Sequence, residues 1–322
     1  MNEWQSYPWL TPLWHQWQGA LTRNVLPNAL LLNSAEELGA EALVNQLAQT
    51  LLCQHSDIEP CGFCHSCSLF LARNHPDFHS LNPEKSGKSI TVDQIRQCNR
   101  LAQESSQLGG YRVFIIEPAD AMNEAAANAL LKTLEEPGLR CYFILMTAHP
   151  QRLLPTILSR CQQWYLATPS TQTSLEWLSQ RGQHHITAAM LKLNSGSPLR
   201  AERFFRDDQW SAYQKVESEF LAVLLNESAD EAPLVSAIIT ETLPRLAWLW
   251  HLLCDGQKTH FSLNDATLLP GAQRLAEVPY FRLQRMSQSL VALMQQLRTH
   301  SGLNEELLVM NWLIESREDV CL

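Results

Sequence analysis

From Ala29 to Ala167, short apolar runs alternate with longer segments of helical periodicity. ALLLN precedes GAEALVNQLAQTLL, DFHSL precedes TVDQIRQCNRLAQ, YRVFII precedes NEAAANALLKTLEE, and CYFILMT precedes a turn. Strands that are apolar throughout are covered on both faces, and the intervening helices supply crossovers, so the pattern predicts an α/β fold with a parallel sheet. From Pro169 to Asp208 the segments shorten to SLEWLSQ, HITAAMLKLNSG and LRAERFFR, the size of a small helical lid. Beyond Trp210 the pattern is helical throughout. There Leu283, Met286, Leu290, Leu293 and Leu297 recur in alternate steps of three and four, on one helix face. Such a stripe packs inside a bundle or against another subunit, and periodicity does not separate the two. The predicted division is a core over 1–167, a lid over 168–208 and an all-α C-terminal bundle over 209–322.

Composition changes this picture little. A chain of 322 residues exceeds what one core usually serves and suits two or three domains. Charge changes it more. The net charge is -9, and from Trp210 onward 14 acidic residues stand against 8 basic ones. Such a surface repels phosphate backbones, so tight DNA binding by the chain alone is not expected and any nucleic-acid role runs through partners. No basic stretch leads into an apolar run near Met1, and no apolar run is long enough to span a bilayer, so a soluble, cytoplasmic protein is expected.

A phosphate-binding loop joins a strand to a helix through glycines whose amides cradle phosphate, with a Lys for the outer phosphates and a Ser/Thr for magnesium. After ALLLN comes Ser34-Ala35-Glu36-Glu37-Leu38-Gly39-Ala40-Glu41. Gly39 alone fits. Ser34 stands in place of the first glycine, Ala40 in place of the lysine and Glu41 in place of the hydroxyl, while Glu36 and Glu37 repel a triphosphate. Taken alone, these residues also suit a strand-turn-helix connection that never bound nucleotide. A second stretch, Asn82 to Ser89, ends in Gly-Lys-Ser but lacks the first glycine and contains Pro83, which suits a solvated loop.

Cys61, Cys64 and Cys67 form CxxCxxC, with Cys53 eight positions earlier. Two-residue spacings turn neighbouring thiolates toward one ion, and four sulfurs complete a closed tetrahedral zinc site with no place for a reactive water. Gly62 supplies the permissive backbone of the turn. A redox CxxC needs no third and fourth cysteine. Cys98, Cys141, Cys161, Cys254 and Cys321 lack such spacing and are expected to pack as small apolar residues.

An ATPase of this topology ends its next core strand in acidic residues for magnesium and for the attacking water. Here VFII runs into Glu117-Pro118-Ala119-Asp120, with Pro118 where the catalytic carboxylate belongs and the two acids expected to be solvated or capping. NALLKTLEEP (128–137), FILMT ending at Thr147, and TILSRC (156–161) follow in order.

Together with the degenerate loop and the CxxCxxC insertion, these motifs resemble the AAA+ clamp-loader family of bacterial DNA polymerase III, strongly over about residues 7–200. The resemblance implies a P-loop-type sheet with a zinc-binding insertion, a lid, and a C-terminal oligomerising collar. Some members of the family hydrolyse ATP, whereas another branch keeps the fold and the zinc module without the phosphate-loop lysine. Ala40 and Pro118 agree with that branch.

The family's Ser-Arg-Cys motif falls on Ser159, Arg160 and Cys161, which implies that Arg160 reaches into a neighbouring subunit's ATP site as an arginine finger. A guanidinium suits that work, being permanently charged and planar. Seen without the motif, Arg160 equally suits capping its helix or pairing with a carboxylate. Active members carry a sensing arginine three residues after the glycine of a Gly-Ser pair; here that offset holds Leu199, and the arginine is Arg200.

The implied partners are gamma or tau and delta subunits, with the sliding clamp and primed DNA reached through the complex. The implied cofactor is structural Zn2+, with no ATP bound by this chain and no enzyme activity of its own. Two other readings stand beside this one: an ATP-hydrolysing gamma-like motor using Gly39 or Lys88, and a zinc-stabilised adaptor unrelated to replication.

Overall fold

Four apolar runs form strands β1 (Ala29–Ser34), β2 (Phe78–Leu81), β3 (Arg112–Ile116) and β4 (Cys141–Thr147), and a fifth strand, β5 (Gln162–Leu166), joins them. The structure is a computed structural model that describes residues 3–85, 87–226, 229–263, 265–300 and 302–318. Among the described residues the strands make one parallel sheet in the order β2-β3-β4-β1-β5. β3 and β4 are buried along their whole length, as strands covered on both faces must be. A turn follows β4, in line with the sequence expectation, but β5, which comes after it and a short helix, has no counterpart in that expectation. It is an edge strand with most of its residues open to water, so it carries no apolar run.

The crossovers are helical. In this unit α1 (Thr11–Thr22), α2 (Ala40–Leu52), α3 (His65–Leu71), α4 (Val92–Gln103), α5 (Glu124–Glu135) and α6 (Pro155–Leu158) follow in chain order. Thr91 opens α4 with a capping box to Gln94, and the Asn123 side chain opens α5 by accepting from Ala126 N at 2.8 Å, so local sequence fixes where each helix starts. The sheet is parallel, so its strands end at one edge, which brings Ser34, Glu117 and Thr147 to the same side. Beneath them Phe114 stacks on Phe143 with centroids 4.9 Å apart, in a core that also holds Ile95, Leu130, Cys98, Cys141 and Cys161. Burial raises these three thiols, Cys141 to about 11 and Cys161 to about 12, so they behave as apolar packing groups.

The chain divides into two compact units, Met1–Thr168 and Pro169–Leu322. The second is helical: α7 (Thr171–Gln180), α8 (Ala188–Leu193), α9 (Pro198–Arg206), α10 (Gln209–Leu225), α11 (Ala232–Ile239), α12 (Thr242–Thr259), α13 (Tyr280–Thr299) and α14 (Glu305–Glu318). Its core takes up the α13 stripe, with Leu283, Met286, Leu290 and Leu293 buried and Leu297 partly so. Asp255 of α12 has no exposure. It is held by Lys192 of α8, by Lys258 at 3.2 Å and by the Leu269 amide at 3.0 Å. Those two ammonium groups and that amide satisfy the buried carboxylate, whose burial without partners would be costly. Cys254 is half-buried, and Cys321 lies outside the described residues. No helix among the described residues is long and apolar enough to cross a membrane.

Candidate functional site

The chain leaves β1 at Ser34 and enters α2 at Ala40, with Gly39 in the left-handed region at φ 76°. A strand, a turn with a left-handed glycine and a helix follow one another here, with neither a lysine nor a hydroxyl at the start of the helix. Ser34 is buried and its hydroxyl turns to the Ala35 carbonyl at 2.9 Å, Ala40 is buried, and Glu41 is exposed in the first turn of α2. The N-terminal segment also closes on this loop. Trp9 Nε1 donates to the Leu38 carbonyl at 2.8 Å, and a Cβ built on Gly39 would lie 2.7 Å from Tyr7 Cδ2. An aromatic ring thus takes up the close backbone approach that the surviving glycine permits.

The second half of the site is equally short of a metal-binding set. Glu117 follows β3 half-buried, and burial, reinforced by the negative Glu41, pushes its carboxyl up to about 7. Asp120 is neither solvated nor capping, contrary to the sequence expectation. It accepts a hydrogen bond from Thr147 Oγ1 at 2.6 Å, and Arg152 Nη1 lies 3.7 Å from it. That contact ties the end of β4 to the turn after β3.

The other two glycine motifs lie in turns. In the Asn82–Ser89 stretch, Lys88 is exposed and Lys88 N bonds Lys85 O at 3.0 Å; Ser86 lies outside the described residues. Helix α4 starts only at Val92, so the Gly-Lys-Ser string ends before any helix begins. Gly196-Ser197 is the turn between α8 and α9: Gly196 N bonds Leu191 O at 2.8 Å, and the Ser197 side chain accepts from Arg200 N at 3.2 Å as helix cap.

Arg160 stands just beyond α6, partly exposed. Its Nε donates to Glu135 Oε1 at 2.6 Å, Nη2 donates to the same oxygen, and Nη1 donates to the Thr156 carbonyl at 2.9 Å. Both contacts that suit an isolated arginine, a cap and a carboxylate, therefore exist. Ser159 Oγ donates to the Thr156 carbonyl at 3.1 Å, whereas Cys161 turns into the core, so of the three motif residues Ser159 and Arg160 face outward. Glu135, 25 positions away in NALLKTLEEP, gave no signal of this contact in the sequence.

The four spaced cysteines meet. The sulfurs of Cys53, Cys61, Cys64 and Cys67 all lie within 4.8 Å of one another, with Cys61 and Cys67 4.0 Å apart. Tetrahedral zinc with Zn–S bonds near 2.3 Å sets sulfurs roughly 3.8 Å apart, so the donor set fits that ion. Backbone amides point at the sulfurs: Cys61 N at Cys53, Cys64 N at Cys61 and Cys67 N at Cys64, each at 3.4 Å. Burial opposes ionisation, yet amides from Gln54 and Cys67 bring the Cys64 thiol down to about 6, while burial holds Cys67 up at about 12. Gly62 takes φ 78° in the turn between ligands.

Below the knuckle, Ser66 Oγ donates to Leu52 O at 2.5 Å and lies 2.8 Å from His75 Nε2, while His75 Nδ1 accepts from Asp77 N at 3.1 Å. His75 therefore carries its proton on Nε2, and burial lowers its basicity in keeping with a neutral ring.

A family described as "DNA polymerase III, delta subunit" matches residues 9–170, and one described as "DNA polymerase III, delta subunit, C terminal" matches residues 207–318. The DNA polymerase III subunit delta' of Yersinia pestis is 37% identical over 96% of this chain and 94% of its own length. That of Escherichia coli K12 is 36% identical over 96% and 94%. Among solved structures, a DNA polymerase III gamma subunit-related protein of Thermotoga maritima covers 95% of this chain and 98% of its own at 20% identity, with a TM-score of 0.44. With both halves matched and more than a third of residues identical over nearly the whole length, the chain belongs to the DNA polymerase III delta' subunit family.

Proposed function

We propose that this chain is an ATPase-inactive clamp-loader subunit that contacts a gamma or tau neighbour and lends Arg160 to that neighbour's ATP. With the delta-type subunit it helps load the sliding clamp onto primed DNA, in the cytoplasm. The observation that carries this reading is the contrast between two sites on one unit. The loop from Ser34 to Glu41 holds no cation and has an aromatic ring against its glycine, while Arg160 stands partly exposed just beyond a short helix with a guanidinium still able to donate. A γ-phosphoryl in transfer spreads negative charge over three oxygens, and a planar cation supplied from outside can stabilise it while making hydrolysis depend on assembly.

The cysteine knuckle is proposed to hold zinc structurally, since four sulfurs leave no open position for catalysis. Residues 168–208 are proposed as the lid and 209–322 as the collar, which would give α13 its place in the bundle core. An active gamma-like motor is disfavoured by Ala40 and Pro118, and an unrelated adaptor by the near full-length identity to delta' proteins.

The test is ATP turnover by the complex reconstituted with gamma- and delta-type subunits. Arg160→Ala is expected to lower turnover at the neighbour's site about 100-fold or more, the scale for loss of one transition-state donor, with assembly intact. An unchanged rate in an intact complex would remove the finger role.

A further inference from the structure

We infer that Glu135 is a positioning residue for Arg160: it grips one side of the guanidinium so that the outer edge is presented to a neighbouring subunit's phosphate. The inference rests on the finger reading above and deepens it.

An arginine has five N–H donors in a rigid fork. Nε and Nη2 share Glu135 Oε1, which uses the side-on pair, and Nη1 reaches the Thr156 carbonyl at 2.9 Å. Three donors are thereby used within the subunit, and one N–H on each terminal nitrogen is left over. Those two donors sit on the two atoms that a phosphoryl group meets in a two-pronged contact.

Without such a grip the side chain would explore many rotamers, and ordering a long arginine side chain costs conformational entropy. The anchors are well placed to remove that freedom. Glu135 is the last residue of α5, whose Leu130 and Leu134 are buried in the core, and Thr156 belongs to α6, which Ile157 plugs into the same core. A rigid pair of helices therefore sets the direction of a side chain that would otherwise be free. Glu135 touches no substrate on this account; it acts through Arg160.

A carboxylate beside the finger also weakens its field, so the two roles Glu135 could play differ in sign. If it aims Arg160, its removal slows hydrolysis; if it merely parks the cation, its removal speeds hydrolysis or leaves it unchanged.

The experiment is steady-state ATP turnover by the reconstituted complex carrying Arg160→Ala, Glu135→Ala, Glu135→Gln, or the first two together, with complex formation checked by gel filtration. Expected are a 3- to 10-fold fall in kcat for Glu135→Ala with KM for ATP little changed, and recovery of most of the rate in Glu135→Gln. Glutamine keeps an oxygen that can accept from Nε and Nη2. The double variant is expected to be no slower than Arg160→Ala alone, as for two residues acting as one unit. If Arg160→Ala slows turnover but Glu135→Ala does not, or speeds it, the positioning role is overturned and the finger survives. Glutamine as slow as alanine would overturn positioning in favour of charge. If Arg160→Ala itself changes nothing, the finger reading fails, whatever Glu135 does.

Discussion

At position 117 a carboxyl sits half-buried at the end of β3, facing the like charge of Glu41. Between its ordinary value of 4.5 and about 7, the folded chain keeps a proton there that the unfolded chain releases. Its contribution to stability is therefore full below pH about 4.5 and is lost as pH rises through about 7. Glu117→Gln is expected to leave stability at pH 4 nearly unchanged and to raise it at pH 8 by about 1–2 kcal/mol, reduced from the full shift because water still reaches the group. Urea denaturation at the two pH values measures this, and an equal effect at both would contradict it. At the phosphate loop, Ala40→Lys alone is expected to leave ATP binding undetectable by calorimetry at millimolar nucleotide. The added cation would still meet Glu41, Glu117 and the ring of Tyr7 against Gly39.

At the level of elements, the knuckle links α2 to α3 through Cys53 at the end of one helix, Cys64 at the N-cap of the other and Cys67 within it. If zinc is part of that link, elemental analysis of the purified chain should find one zinc per molecule. Cys64→Ser should abolish it and lower the melting temperature by several degrees, since metal-binding energy is folding energy in such modules. A metal-free wild type with an unchanged melting temperature in chelator would contradict this. His75→Ala removes the donor that holds Ser66 against Leu52 and is expected to cost about 1–3 kcal/mol in chemical denaturation. In the helical unit, Leu290→Ala should cost about 2–5 kcal/mol, because Leu290 has no exposure and the stripe lies in the core.

Taken as a whole molecule, what is local in the chain was legible and what is distant was not. The cysteine cluster could be read because three of its members are separated by only two residues each, and the strand-turn-helix around Gly39 because consecutive residues spell it. The strands β1, β3 and β4 announced themselves as unbroken apolar runs, whereas β5, an edge strand, did not. Contacts across the fold had no such signal. Tyr7 and Trp9 are about thirty positions from the loop they cover, Asp120 meets Thr147 27 positions away, and Glu135 meets Arg160 25 positions away. Each depends on which strand ends share an edge of the sheet, and a single sequence leaves that pairing open.

On the proposed reading, this chain holds no nucleotide itself and yet carries a cation for another subunit's. Equilibrium binding of labelled ATP with magnesium to the isolated chain tests this most directly. No saturable binding up to millimolar ATP, and no release of phosphate, is the predicted result. Micromolar binding accompanied by turnover would contradict it.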